Sequence, residues 1–74
     1  MDMNLNVKKV FSERLKELRD EKGLNNQELS DLIGIPRTSI SNWINCRRMV
    51  QIDILVKIAL FFGVSTDYLL GLEN

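Results

Sequence analysis

Along the 74-residue chain, apolar positions recur at intervals of three and four, and no stretch alternates with the period of two that a half-buried strand requires. In the first segment, NVKKVFSERLKELRDEKG, Val7, Phe11, Leu15 and Leu18 form one stripe on a helix, and Gly23 after Lys22 supplies a stop. The second segment has the clearest start. Asn25 stands at the N-cap with Glu28 three residues on, a capping box, and Leu24 can staple to Leu29. Leu29, Leu32 and Ile33 are expected on its inner face, and Gly34 ends it.

Only the tripeptide Gly34-Ile35-Pro36 separates this helix from the next. Glycine can take positive φ there, and proline presets the first turn of a helix. A short helix, a tight glycine turn and a second short helix make a helix-turn-helix. In the third helix, Ile40, Ile44 and Trp43 mark the buried side, with Ile44 expected to be largely buried. At about 100° per residue, Thr38, Ser41, Asn42 and Asn45 fall on the opposite side, with Arg37 at its margin. The fourth segment, IDILVKIALFFG, carries Leu55, Ile58, Ala59 and Phe62 on its inner stripe, with Ile52 one turn earlier. A fifth helix opens at Ser65 as N-cap and closes at Gly71, with Val64 and Leu69 as a second staple.

Composition narrows the function more by exclusion than by assertion. Histidine is absent and cysteine occurs once, so zinc sites and disulfide frameworks have no ligands to work with, and no cofactor is implied. Cys46 has no imidazole to activate it, and no glycine-rich phosphate loop appears, so the chain does not read as an enzyme. The N-terminal MDMNLNVKK lacks the apolar core of a secretory leader. The longest apolar run is interrupted by Lys57 and falls short of the roughly 18 residues of a bilayer span. A cytoplasmic protein of one domain, spanning 1–74, is the expectation.

Charge changes that picture through its placement. Ten cations balance ten acids, yet residues 37–51 hold Arg37, Arg47 and Arg48 and no acid at all. Nucleic-acid affinity follows the distribution of charge rather than its sum. This acid-free window coincides with the polar face of the third helix. A face of short hydrogen-bonding side chains edged by arginines is suited to an anion lying along it.

The pieces RLKELRDEKGL, NNQELSDLIGI, PRTSISNW and LVKIALFFGVSTDYLLG, in this order and spacing, resemble the Cro and lambda-repressor-like (XRE) helix-turn-helix family over about residues 11–71. The resemblance implies an all-α, five-helix, lambda-repressor-like domain that binds operator DNA as a transcriptional regulator, as a repressor and as a homodimer. It implies that the third helix, about 37–45, enters the major groove. Carried over position by position, Arg37, Thr38, Ser41 and Asn42 match base-reading positions. Arginine suits guanine, asparagine suits adenine, and threonine offers a hydroxyl or a methyl. Asn26, Gln27, Ser39, Asn45, Arg47 and Arg48 are the implied phosphate contacts, with Lys8 or Lys9 flanking.

Three departures matter. The family usually has glutamine where this chain has Asn26, whose reach is shorter. Where it commonly has a glutamate paired with an arginine of the first helix, this chain has Ile44, which leaves Arg19 without that partner. Cys46 stands where glycine is frequent and reads as a small residue in a tight turn. An excess apolar set, Ile54, Leu60 and Phe61 with Leu69, Leu70 and Leu72, either buries the fifth helix or forms a self-association surface. Ile54, Phe61, Leu69 and Leu72 are the candidates for that surface. Ile54, Phe61 and Leu69 also serve the alternative reading, an antitoxin-like module that holds a protein partner. A phage switch protein and a domain of a longer regulator remain equally open.

Overall fold

A computed structural model describes residues 6–73 and contains, among these, five helices and no strand. They are α1 (Val7–Glu21), α2 (Asn26–Ile33), α3 (Arg37–Ile44), α4 (Ile52–Phe62) and α5 (Thr66–Leu70). Residues 1–5 and 74 of the expected 1–74 domain lie outside the described range. The all-α expectation holds.

Local chemistry sets each boundary. Asn6 caps α1 by accepting from the Lys9 amide at 3.1 Å. The α2 capping box is complete: the Glu28 amide donates to Asn25 Oδ1 at 2.8 Å, and the Asn25 amide donates to Glu28 Oε1 at 3.0 Å. Gly34 ends α2 in the left-handed region, at φ 74°, and sends the chain through Ile35 and Pro36 into α3. Ser65 caps α5 by accepting from the Tyr68 amide at 2.9 Å. At the other end of α5, Gly71 has φ 85°, and a Cβ there would stand only 2.8 Å from Val10 Cγ1. Any side chain at 71 would meet both a strained backbone and α1.

Six side chains vanish from solvent, and all five helices contribute: Phe11, Leu15, Leu29, Ile40, Ile58 and Leu69. Each fully buried large apolar side chain contributes about 1.5–3 kcal/mol relative to leaving it in water. The central helix is α1, which packs on both α3 and α5, while α2 lies against α3 and α4 against α5. The Phe11 ring meets Trp43 edge to face, with centroids 6.1 Å apart. At the far end Arg14 lies over the Tyr68 ring, 4.3 Å from its centroid, and donates to the Glu73 carbonyl.

Four expectations change. Leu32 is 61% exposed and Ile52 81% exposed, so neither belongs to the core. Leu29 and Ile33 alone set the α2 inner face, and Leu32 stands about 100° back from Ile33, beyond the reach of α1 and α3. Ile52 is the first residue of α4, with no helix beside it to cover it. Ile44 is only half-buried, packed against the edge of the core. Leu69 is wholly buried and therefore cannot serve as a surface for another copy of the chain. As the core knob of a five-residue helix, it is consumed in docking that helix on α1 and α4.

One polar contact anchors α3 to the body. The buried Ser12 hydroxyl of α1 donates to the Ile44 carbonyl at 2.6 Å, meeting one of the acceptors a helix C-terminus leaves over. Ser12→Ala should cost about 1–3 kcal/mol, since the carbonyl stays partly buried and unmet. Thermal unfolding should register this as a fall in midpoint of roughly 4–8 °C per kcal/mol. A midpoint unchanged from the parent would show that the contact contributes nothing.

Candidate nucleic-acid interface

With Ile40 and Trp43 turned into the core and Ile44 packed at its edge, the other side chains of α3 face outward. Arg37 and Thr38 are exposed, and Ser41 and Asn42 are half-exposed. These four share a cleft of about 260 Å³ with Asn26, from the first turn of α2, and Arg47, from the loop after α3. No carboxylate lines it. The loop is held in place by backbone bonds, with the Arg47 amide donating to the Asn42 carbonyl at 2.8 Å. Cys46, at φ 61°, takes the left-handed turn for which a glycine is the usual choice.

A second groove, of about 370 Å³, runs along the opposite flank of α3. Its walls include Ser39, Asn42, Trp43, Arg48, Ile54 and Lys57, and again no carboxylate. Thus α3 is a ridge between two acid-free clefts, and Asn42 reaches into both. Among the described residues, Arg37, Arg47 and Arg48 make no ion pair, so their charge is not offset by a bound acid. Lys57 Nζ sits near the C-terminal end of α2, 3.6 Å from where a Cβ on Gly34 would stand, a location that favours a cation.

The implied phosphate-contacting set is divided by the fold. Asn26 and Arg47 line the first cleft, and Ser39 and Arg48 the second. Asn45 donates back to the Ser41 hydroxyl at 3.2 Å, one turn earlier on its own helix. Gln27 lines neither cleft. Its amide donates to Asp31 at 2.9 Å along the outer face of α2, which places an acid beside it. Of the surface candidates, Leu72 is exposed, while Ile54 and Phe61 are half-buried within the domain. Phe61 packs edge-on against Phe62 and lies under the Lys22 ammonium.

Two residues escaped the sequence reading. Lys57 is the single cation of residues 52–74, and that isolation was the available signal. Arg19, which has no ion-pair partner at residue 44, finds others: its Nη1 donates to Asn26 Oδ1 at 2.6 Å, and its Nη2 pairs with Asp20 at 2.8 Å. No spacing rule connects residues 19 and 26, because the turn between α1 and α2 brings them together.

Two short helices joined through a glycine turn, with the second presenting a polar face edged by unpaired arginines, define a helix-turn-helix protein. A family model described as a helix-turn-helix domain matches residues 12–74, and the chain belongs to that family. Among similar proteins is the SPbeta prophage-derived uncharacterized HTH-type transcriptional regulator YonR of Bacillus subtilis. It is 36% identical over 61 residues, covering 82% of this chain and 56% of that protein. The HTH-type transcriptional regulator ImmR of the same organism is 37% identical over 64 residues, covering 86% and 50%. The HTH-type transcriptional activator BcrR of Enterococcus faecalis is 35% identical over 64 residues, covering 86% and 31%. The chain therefore spans about half the length of the first two relatives and less of the third. The crystal structure of a hypothetical transcription factor, NHTF, from Neisseria superposes with a TM-score of 0.80 at 26% identity, covering 88% of this chain and 75% of that one. No helix among the described residues is long and apolar enough to cross a membrane.

Proposed function

We propose that this chain binds double-stranded DNA in a sequence-specific way as the DNA-reading part of a cytoplasmic transcriptional regulator, with α3 in the major groove. The observation that carries this reading is the pair of acid-free clefts on either side of α3. A helix lying in the major groove has a sugar-phosphate strand on each flank. Here each flank offers cations and short polar donors, Arg47 and Asn26 on one side and Arg48, Lys57 and Ser39 on the other. Arg37, Thr38, Ser41 and Asn42 stand on the ridge, where base edges would lie.

The regulatory sense we propose is repression, by occupying a site that polymerase needs; the relative named an activator keeps the opposite sense as a measurable alternative. Binding as a two-fold dimer fits the apolar surface left outside the core, where Ile52, Leu60 and Leu72 are all exposed. Those side chains equally support the second reading, a module that holds a different protein. Selection of bound sequences from a random duplex pool separates these readings. An inverted repeat with half-sites about 34 Å apart identifies a dimeric operator binder, and a single enriched half-site a monomeric one. No enrichment at low salt overturns the DNA reading and favours the protein partner.

The division between reading and clamping has its own test. Asn42→Ala should cost about 1–3 kcal/mol of binding and relax preference at one base pair. Arg47→Ala should weaken binding to all sequences alike and flatten the salt slope by about one unit. Should Asn42→Ala weaken every sequence equally, Asn42 is not a reader.

A further inference from the structure

We infer that Arg19 is a positioning residue for DNA binding: it fixes the Asn26 amide so that its NH₂ group, and not its oxygen, faces the first cleft and the phosphate that would lie there. This inference rests on the DNA-binding reading of that cleft. The Arg19 side chain is 16% exposed, and all three of its nitrogens donate hydrogen bonds. Nε and Nη2 both donate to Asp20 Oδ1, at 3.1 and 2.8 Å, which holds the group from behind. Nη1 then donates forward to Asn26 Oδ1 at 2.6 Å.

A guanidinium has only donors, so the Asn26 atom facing it must be the oxygen. The planar amide thereby turns its NH₂ away from Arg19. Asn26 is half-buried and lines the cleft beside Arg37, Ser41 and Arg47. Among the described residues, its NH₂ has no hydrogen-bond partner of its own. A flipped amide would set its NH₂ against the guanidinium and its oxygen toward an incoming phosphate, unfavourable on both counts. Arg19 blocks that flip before DNA arrives, and so removes the ordering cost that a short, freely rotating asparagine would otherwise meet on binding.

The test is a double-mutant cycle of Arg19→Met and Asn26→Ala, measuring the dissociation constant for the selected duplex at several salt concentrations, with thermal unfolding of each variant in parallel. Each single change should weaken binding by about tenfold, the scale of one hydrogen bond to a charged group. The double variant should bind no worse than the weaker single. The salt slope of Arg19→Met should match the parent, because a residue acting through a neutral amide releases no counterion. A slope flatter by about one unit would mean that Arg19 touches phosphate itself and would overturn the inference, as would additive losses. Asn26→Asp supplies the readout that folding alone cannot mimic. It should keep or raise the melting midpoint by pairing with Arg19, yet lower DNA affinity by more than Asn26→Ala does. A parent protein that binds no duplex would remove the DNA reading itself, whereas parental affinity in Arg19→Met would remove only the role given to Arg19.

Discussion

Phe11→Ala is expected to remove most of the stability of this domain. Phe11 is fully buried, lies on the central helix, and meets Trp43 edge to face. Truncating such a ring costs about 3–5 kcal/mol, from lost burial and from the cavity that remains. A chain of 74 residues has roughly 4–11 kcal/mol to lose at typical stability per residue. Urea unfolding followed through the fluorescence of Trp43, the single tryptophan, reports on the same contact. Most of the cooperative transition should vanish or move to low denaturant. Leu60→Ala, at a position 78% exposed, should shift it by less than about 0.5 kcal/mol. A loss below about 1 kcal/mol at Phe11 would place the centre of the core elsewhere.

The second large effect is ionic. Affinity for the selected duplex should fall by two to three orders of magnitude between about 50 and 200 mM salt, for a log–log slope of roughly −4 to −5. That slope corresponds to four to six neutralised phosphates, estimated from counterion release, and Arg37, Arg47, Arg48 and Lys57 with the lysines of α1 can supply them. The prediction is demanding because the chain carries no net charge, so the body of the protein adds no general attraction for a polyanion. The whole salt dependence has to arise at the two clefts and at the lysines of α1. A slope near zero would mean that the clefts do not hold phosphate.

What the chain declares most plainly are its local decisions. Asn25 with Glu28 and Ser65 before α5 close their hydrogen bonds within a few residues, Gly34 before Pro36 acts through backbone angle, and these helix ends lie where they put them. Burial is less legible, because periodicity gives a direction and not a neighbour. Leu32 and Ile52 have the right spacing and no helix opposite them, while Leu69 looks like surplus until α5 is seated between α1 and α4. At the candidate site, residue types in the acid-free window indicate the cleft, and the helical angle groups Thr38, Ser41 and Asn42. Neither could show that Gln27 donates to Asp31 one turn away on α2, nor join Arg19 to Asn26 across a turn. The second contact depends on how the turn between α1 and α2 folds back.

The outward face of α3 has no duties toward the body of the protein. Arg37, Thr38, Ser41 and Asn42 bury no side chain in the core, and the helix is held by Ile40, Trp43 and the tether from Ser12. Substitutions at those four positions can therefore accumulate at little expense to folding. Duplicated copies of such a gene could part company in the sites they recognise while keeping the same scaffold, and a drifting operator could be followed one residue at a time.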